Sequence, residues 1–204
     1  MAKLDHIMFA AADLDQGISE IADLTGVRAA IGGTHPGNGT RNALLSLGAD
    51  QYLEIIAPDP EQELQGTLGE ELIQHGGSGV RSWAVASDDL ASVAAVGRDQ
   101  GLGVRPIVDM NRTTPAGVRL DWQICFLFGN SLLPFFIDWK KSPHPAQNTP
   151  KGCALDSFTV SLPDHVPYRT LMDALGVEVT IVNGAELCSA RLQTPAGLVA
   201  LQSW

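Results

Sequence analysis

The sequence predicts an α+β fold assembled from three βαβββ units, of which the first two share a sheet. Three observations predict it. A short apolar run followed by an acidic helix start occurs three times: Leu4-Asp5-His6 before Asp13, Arg81-Ser82-Trp83 before Asp88, and Leu155-Asp156-Ser157 before Asp164. Each expected helix ends at a glycine and hands over to valine, at Gly26-Val27, Gly103-Val104 and Gly176-Val177. Thr114-Pro115-Ala116-Gly117 returns as Thr194-Pro195-Ala196-Gly197. Self-similarity in a fixed order of elements marks a repeated supersecondary unit.

In the first unit the apolar run over residues 4–11 reads as a strand, and Asp13-Leu14-Asp15 opens a helix. Ile18, Ile21, Ala22 and Leu24 then recur at helical spacing. A strand starts at Val27, and residues 43–47 and 52–56 read as two more. In the second unit a strand over 80–86 precedes a helix carrying Leu90, Val93, Ala94 and Val96, then strands at 104–108, 118–127 and 132–139. In the third, a strand from Leu155 precedes a helix through Tyr168, Leu171, Met172 and Leu175, and the last strand ends at Trp204. One helix covers only one face of a small sheet, so units are expected to pair. The expected division is 1–140 for the paired units (1–58 and 79–140, with linker 59–78) and 153–204 for the third. That third unit should either pair in a symmetric homodimer, the favoured assembly, or pack on the other two.

Length and composition bound the function. A chain of 204 residues is long enough to bury about 70% of its unfolded surface. Hydrophobic content is 45% and charged content 18%, the balance of a globular chain rather than a disordered one. No apolar run reaches membrane-spanning length, and the N-terminal residues lack a secretory pattern, so the expected address is the cytoplasm. A net charge of −10 opposes nucleic acids and anionic membrane surfaces as partners. The three cysteines, Cys125, Cys153 and Cys188, form no CxxC pair and read as structural thiols.

Two polar residues stand out in apolar strands. His6 shares a face with Met8 and Ala10, and Glu54 lies between Leu53 and Ile55. A carboxylate buried there needs compensation, from a metal, from a substrate, or from a His–Glu hydrogen bond in a polar cup. His35 would complete a two-histidine, one-carboxylate face. Between Gly32 and Asn42 lies a glycine-rich stretch in which His35, Asn38, Thr40, Arg41 and Asn42 offer polar contacts, with Arg41 suited to clamp a carboxylate. Aromatics gather in the second unit. Most read as core, whereas Trp83, beside the Ser82 position, is the better pocket candidate. His75 and His144 read as surface loop residues.

A βαβββ unit with Leu4-Asp5-His6 on its first strand, the stretch from Gly32 to Asn42, and Tyr52-Leu53-Glu54-Ile55 on its last resembles the vicinal oxygen chelate superfamily, in particular its glyoxalase-like domain family. Pro134-Phe135-Phe136-Ile137-Asp138-Trp139 followed by His144-Pro145 is a weaker echo. The resemblance implies a curved half-barrel sheet that cups the site. It implies a small-molecule enzyme of lyase, isomerase or dioxygenase type acting on a small oxygen-rich substrate, with His6 and Glu54 catalytic and one of them the base. It also implies a divalent metal (Fe, Mn, Zn or Ni) on His6 and Glu54, for which His35 is the candidate third ligand. His35, Asn38, Thr40, Arg41, Asn42 and Trp83, read from the residues themselves, are the candidates around the substrate. Against a full metal set, aligning Asp13-Leu14 on Asp89-Leu90 puts Ser82 opposite His6, and aligning Gly48 on Gly129 puts Phe135 opposite Glu54. The rival reading is a non-catalytic protein that sequesters a small apolar ligand.

Overall fold

The computed structural model describes residues 2–114 and 116–203. Met1, Pro115 and Trp204 lie outside the described residues, and with them part of the first Thr-Pro-Ala-Gly repeat and the expected end of the last strand.

The first unit comprises β1 (Lys3–Ala11), α1 (Leu14–Thr25), β2 (Ala30–His35), β3 (Thr40–Ser46) and β4 (Tyr52–Pro58). The Asp13 carboxylate accepts the Gln16 N–H and starts α1, and Gly26, at φ 75°, stops it in the left-handed region. The segment expected as a linker carries α2 (Leu68–His75). The second unit comprises β5 (Ser78–Ala86), α3 (Leu90–Asp99), β6 (Gly103–Val104), β7 (Val108–Thr113), β8 (Arg119–Phe128) and β9 (Phe135–Asp138). A 3₁₀ turn at Pro145–Gln147 leads to β10 (Ala154–Ser161), α4 (His165–Ala174), β11 (Thr180–Val182), β12 (Leu187–Thr194) and β13 (Gly197–Gln202). Among the described residues no helix is long and apolar enough to cross a membrane.

The first two units share one nine-stranded sheet, ordered β2-β3-β4-β1-β5-β9-β8-β6, with β7 also paired to β8. In each unit the first strand lies parallel to the last: Met8 faces Glu54 across β1 and β4, and Ala84 faces Phe135 across β5 and β9. This register reproduces the equivalence of Glu54 with Phe135 read from sequence. The sheet curls until its edge strand β2 packs against β7, where the Arg112 guanidinium donates to the Gly32 carbonyl.

Alternation along the strands sorts the side chains. Ile7, Phe9, Leu53, Ile55, Trp83 and Val85 point outward beneath α1 and α3, in the main core. His6, Met8, Ala84, Phe135, Ile137 and Trp122 point into the concave side.

The glycine-rich stretch is more regular than its composition suggests. β2 runs to His35 and β3 starts at Thr40, so only residues 36–39 form the turn. A Cβ at Gly32 would collide with Asn42 Oδ1, and Gly33, at φ 150°, passes close to the Thr113 carbonyl. Glycine is required there by close approach within a strand, not by a mobile loop.

The third βαβββ segment forms its own four-stranded sheet, ordered β11-β10-β12-β13. Its order of elements is as expected, but its pairing is not that of the first unit. β10 lies between β11 and β12, whereas β1 lies beside β4. This sheet packs on the outer face of the large one. Phe158 lies 5.2 Å from the Trp83 ring, and the Leu132 carbonyl accepts both the Trp83 indole N–H and the Tyr168 hydroxyl. The apolar face is thus covered within the chain, the second of the two packings expected for this unit.

Candidate functional site

The concave side has a polar half, built by β1 to β4 with Arg112, and an apolar half built by β5, β8 and β9. Leu120, Trp122, Phe135 and Ile137 form the apolar wall, with Met8, Met110, Ile124 and Phe126 against it. α2 lies over one end, with Leu72 on Ala10 and Ile56. The turn at Pro145–Gln147 lies over the other, with Ala146 on Leu44 and Tyr52.

His6 and Glu54 meet between them. His6 Nε2 is 3.5 Å from Glu54 Oε2, and the two residues are 3% and 5% exposed, so the pair is nearly dry. Asp5 is held beside them by a local irregularity. Neighbours in a strand point to opposite faces, but the pairing of β1 with β5 shifts register between Leu4 and His6. A bulge at Asp5 turns its carboxylate toward the His6 ring, so that Oδ1 accepts from His6 Nδ1 at 2.6 Å. Oδ2 accepts from Trp139 Nε1 at 3.0 Å and from His144 Nε2 at 3.1 Å. Burial alone would raise the Asp5 pKa. The hydrogen bonds from His144 and His6, with the attraction of both rings, outweigh it and hold Asp5 down at about 2. An ionised Asp5 fixes the proton on His6 Nδ1 and leaves Nε2 as the atom that faces Glu54. The His6 ring itself is clamped by stacking on Tyr52 at 4.5 Å and by the edge of Phe135 at 5.4 Å.

On the other side of Glu54, the Asn42 amide donates to Glu54 Oε1 at 2.6 Å and to His35 Nε2 at 3.2 Å. His35 Nδ1 contacts the Thr40 hydroxyl at 3.0 Å. Burial pushes the His35 pKa down, further than Glu54 can raise it, so His35 is neutral. With Nε2 accepting from Asn42, its proton sits on Nδ1. Glu54 Oε2 accepts no hydrogen bond among the described residues. It is the one carboxylate oxygen left for an incoming group.

Four of the sequence-derived site residues therefore cluster around Glu54: His6, His35, Thr40 and Asn42. Asn38 lies in the 36–39 turn, where its carbonyl accepts from Gly69 N on α2. Three expectations are corrected. Arg41 follows the parity of Ala43 and Leu45, which belong to the outer core, so it lies on the opposite face of β3 from Asn42. Trp83, opposite Ile7 on the neighbouring strand, is buried against Phe158 in that same core and lines no cup. His144 is also corrected, from a surface loop residue to a half-buried partner of Asp5.

Sequence reasoning missed Asp5, His144 and Arg112 as site residues. Arg112 is 5% exposed and reaches Gly32 from β7. Only Asp5, adjacent to His6 in a repeated Leu-Asp motif, carried a local signal.

The donor set does not fit a metal as placed. Among the described residues no group of three or more His, Cys, Asp or Glu is arranged to hold one. The reason is visible at Asn42, whose N–H groups occupy the lone pairs that His35 Nε2 and Glu54 Oε1 would offer a cation. The three buried cysteines are likewise poor reagents, since burial raises their thiol pKa values, that of Cys188 to about 12.

A comparison with curated proteins found no match. Among solved structures, a hypothetical protein from Staphylococcus aureus aligns at 18% identity over 100% of this chain and 86% of that one, with a TM-score of 0.67. Methylmalonyl-CoA epimerase from Mycobacterium tuberculosis aligns at 24% identity over 66% of this chain and 86% of that one, with a TM-score of 0.50. A hypothetical protein from Bacillus halodurans aligns at 20% identity over 70% and 97% of the two chains, with a TM-score of 0.53. These likenesses share the vicinal oxygen chelate fold. The sequence model described as a glyoxalase-like domain matches residues 4–176, from the strand that carries His6 to the end of the third unit's helix, and the chain belongs to that family.

Proposed function

We propose that the protein is a small-molecule enzyme of isomerase or lyase type that moves a proton at a carbon next to a carbonyl. The observation that carries this reading is the buried Asp5–His6–Glu54 array. It places one unbonded carboxylate oxygen opposite an oriented imidazole nitrogen, beside an apolar wall. Glu54 Oε2 takes the proton from the substrate carbon, and the bonding pair moves onto the carbonyl oxygen. The proton held by Glu54 then returns to a carbon of the enolate; the His6 Nε2 lone pair, kept in orientation by Asp5, accepts it in the meantime and gives it back. Exclusion of water from the cup strengthens each charge interaction along that path. The epimerases among the structural neighbours are named for a thioester substrate, methylmalonyl-CoA, which is consistent with this chemistry. The dioxygenase branch is less well supported, because its oxygen chemistry rests on a metal that the residues as placed do not fit.

Incubation in heavy water with a panel of small α-substituted acids, ketones and thioesters tests the reading. At least one compound should gain one deuterium at the α carbon. The exchange should survive dialysis against a chelator, and it should fall by about 10²-fold or more in Glu54→Gln, the loss typical of a missing general base. A compound that binds wild type and Glu54→Gln alike and returns unlabelled would instead support the rival reading, a protein that sequesters its ligand.

A further inference from the structure

Arg112 is the charged group of the cup that neither the sequence nor the proton-transfer reading uses. It sits on β7 opposite Leu120, in the row that carries Met110 and Trp122, and so faces the concave side. It is 5% exposed, yet among the described residues it has no ion-pair partner. Among the described residues its one hydrogen bond goes from Nη1 to the Gly32 carbonyl. A guanidinium carries five N–H donors, so most of its capacity is open to a bound group. Buried charges are ordinarily paired. The nearby acid, Glu54, already accepts from Asn42 and has His6 on its other oxygen. Its bond to Gly32 sets it beside the backbone against which Asn42, the donor to Glu54, packs, so it stands over the same space.

From this we infer that Arg112 is the substrate-recognition residue of the site, and that the substrate carries a carboxylate. The inference rests on the proton-transfer reading for the position of the site, not for its chemistry. A planar carboxylate takes two parallel N–H bonds from a guanidinium. Seated on Arg112, it would direct the rest of the molecule between Glu54 Oε2 and the apolar wall of Trp122 and Phe135. The substrate is then a small acid with a partly apolar body. A second anionic group would meet Glu54 and be repelled. The bond to Gly32 gives Arg112 a structural duty as well, since it joins the two edges of the curled sheet. The test must therefore separate recognition from closure.

The probes are propionate and its uncharged counterpart propionamide, titrated against the full chain by calorimetry and by the Arg side-chain N–H signals in nitrogen-15 NMR. Wild type should bind propionate at least tenfold more tightly than propionamide, with one Arg Nε–H signal shifting on titration. In Arg112→Lys that signal should be missing and the preference reduced. In Arg112→Met the preference should vanish, while Glu54→Gln should keep it or increase it. Equal binding of acid and amide by wild type would overturn the inference. So would an unchanged preference in Arg112→Met with only an earlier melt, which is the outcome for a clasp alone. If Arg112→Met does not fold, the wild-type preference and the moving Arg signal, compared with Arg112→Lys, still decide. Loss of deuterium exchange bears on Glu54 and leaves this result untouched. Conversely, exchange that depends on Glu54 with no acid–amide preference removes only the role of Arg112.

Discussion

Asp5 shows how a single residue ties the site to stability. Its carboxylate receives three hydrogen bonds in a place 1% exposed, and its folded pKa of about 2 lies below the ordinary 3.8. A carboxyl depressed on folding adds stability that is fully present above pH 4. That stability is lost as the pH falls from about 4 toward 2, where the folded state must also take up the proton. A shift of this size corresponds to about 2 kcal/mol. Asp5→Asn should therefore lower stability at neutral pH by about 2 kcal/mol, because its amide would meet one of the donors with another donor. The variant should also lose less stability between pH 4 and pH 2 than wild type. Denaturant melts at several pH values check both effects. A variant with wild-type stability and wild-type acid sensitivity would show that the three hydrogen bonds are not what sets the Asp5 ionisation.

At the scale of elements, the site depends on two irregular features. The first is the bulge in β1, which brings Asp5 and His6 together. The same register shift recurs in β10 between Leu155 and Ser157, at the matching Leu-Asp-Ser, where no histidine follows. The repeated Leu-Asp thus marks a repeated backbone device, and only the first copy carries an imidazole to use it. The second feature is α2, which closes one end of the cup through Leu72, a side chain with no exposed surface between Ala10 and Ile56. Leu72→Ala should cost about 2–4 kcal/mol through lost burial and the space left behind. It should also open the Ala10 and Ile56 end of the cup, seen as faster exchange of the amides around Ile56 on β4. If stability fell with no change in that exchange, α2 would be packing without sealing.

For the whole molecule, the third sheet acts as the outer cover of the first two units. Phe158, Val160, Ala190, Leu192 and Leu201 share one core with Trp83 and Val85 of β5. Ending the chain after Gly152 would expose Trp83 and remove the Tyr168 hydroxyl that shares the Leu132 carbonyl with its indole. Such a truncation should bind a hydrophobic dye and aggregate, or fold only partly, rather than give a stable two-unit protein. A soluble, cooperatively melting fragment 1–152 would show that the outer face is self-sufficient and that the third sheet has some other task.

The sequence by itself determined the α+β class, the order of elements in the first and third segments, and the strands that carry His6 and Glu54, whereas the second segment has one strand more after its helix than expected. These are local matters. Apolar periodicity, helix starts at Asp13, Asp89 and Asp164, and a carboxylate placed mid-strand between Leu53 and Ile55 can be read within a few residues. Tertiary structure alone decided which faces the remaining polar residues occupy. Arg41 and Trp83 had suitable chemistry but the wrong strand parity, and parity against a distant core is set by which sheet face is covered. Asp5 entered the site through a bulge, His144 through a turn that folds back over Tyr52, and Arg112 through the curling of the sheet that brings β7 to β2. Each of those contacts joins residues distant in sequence or depends on one displaced strand position. The free energy that selects them comes from burying the apolar wall and the outer core together, which no local window of the chain contains.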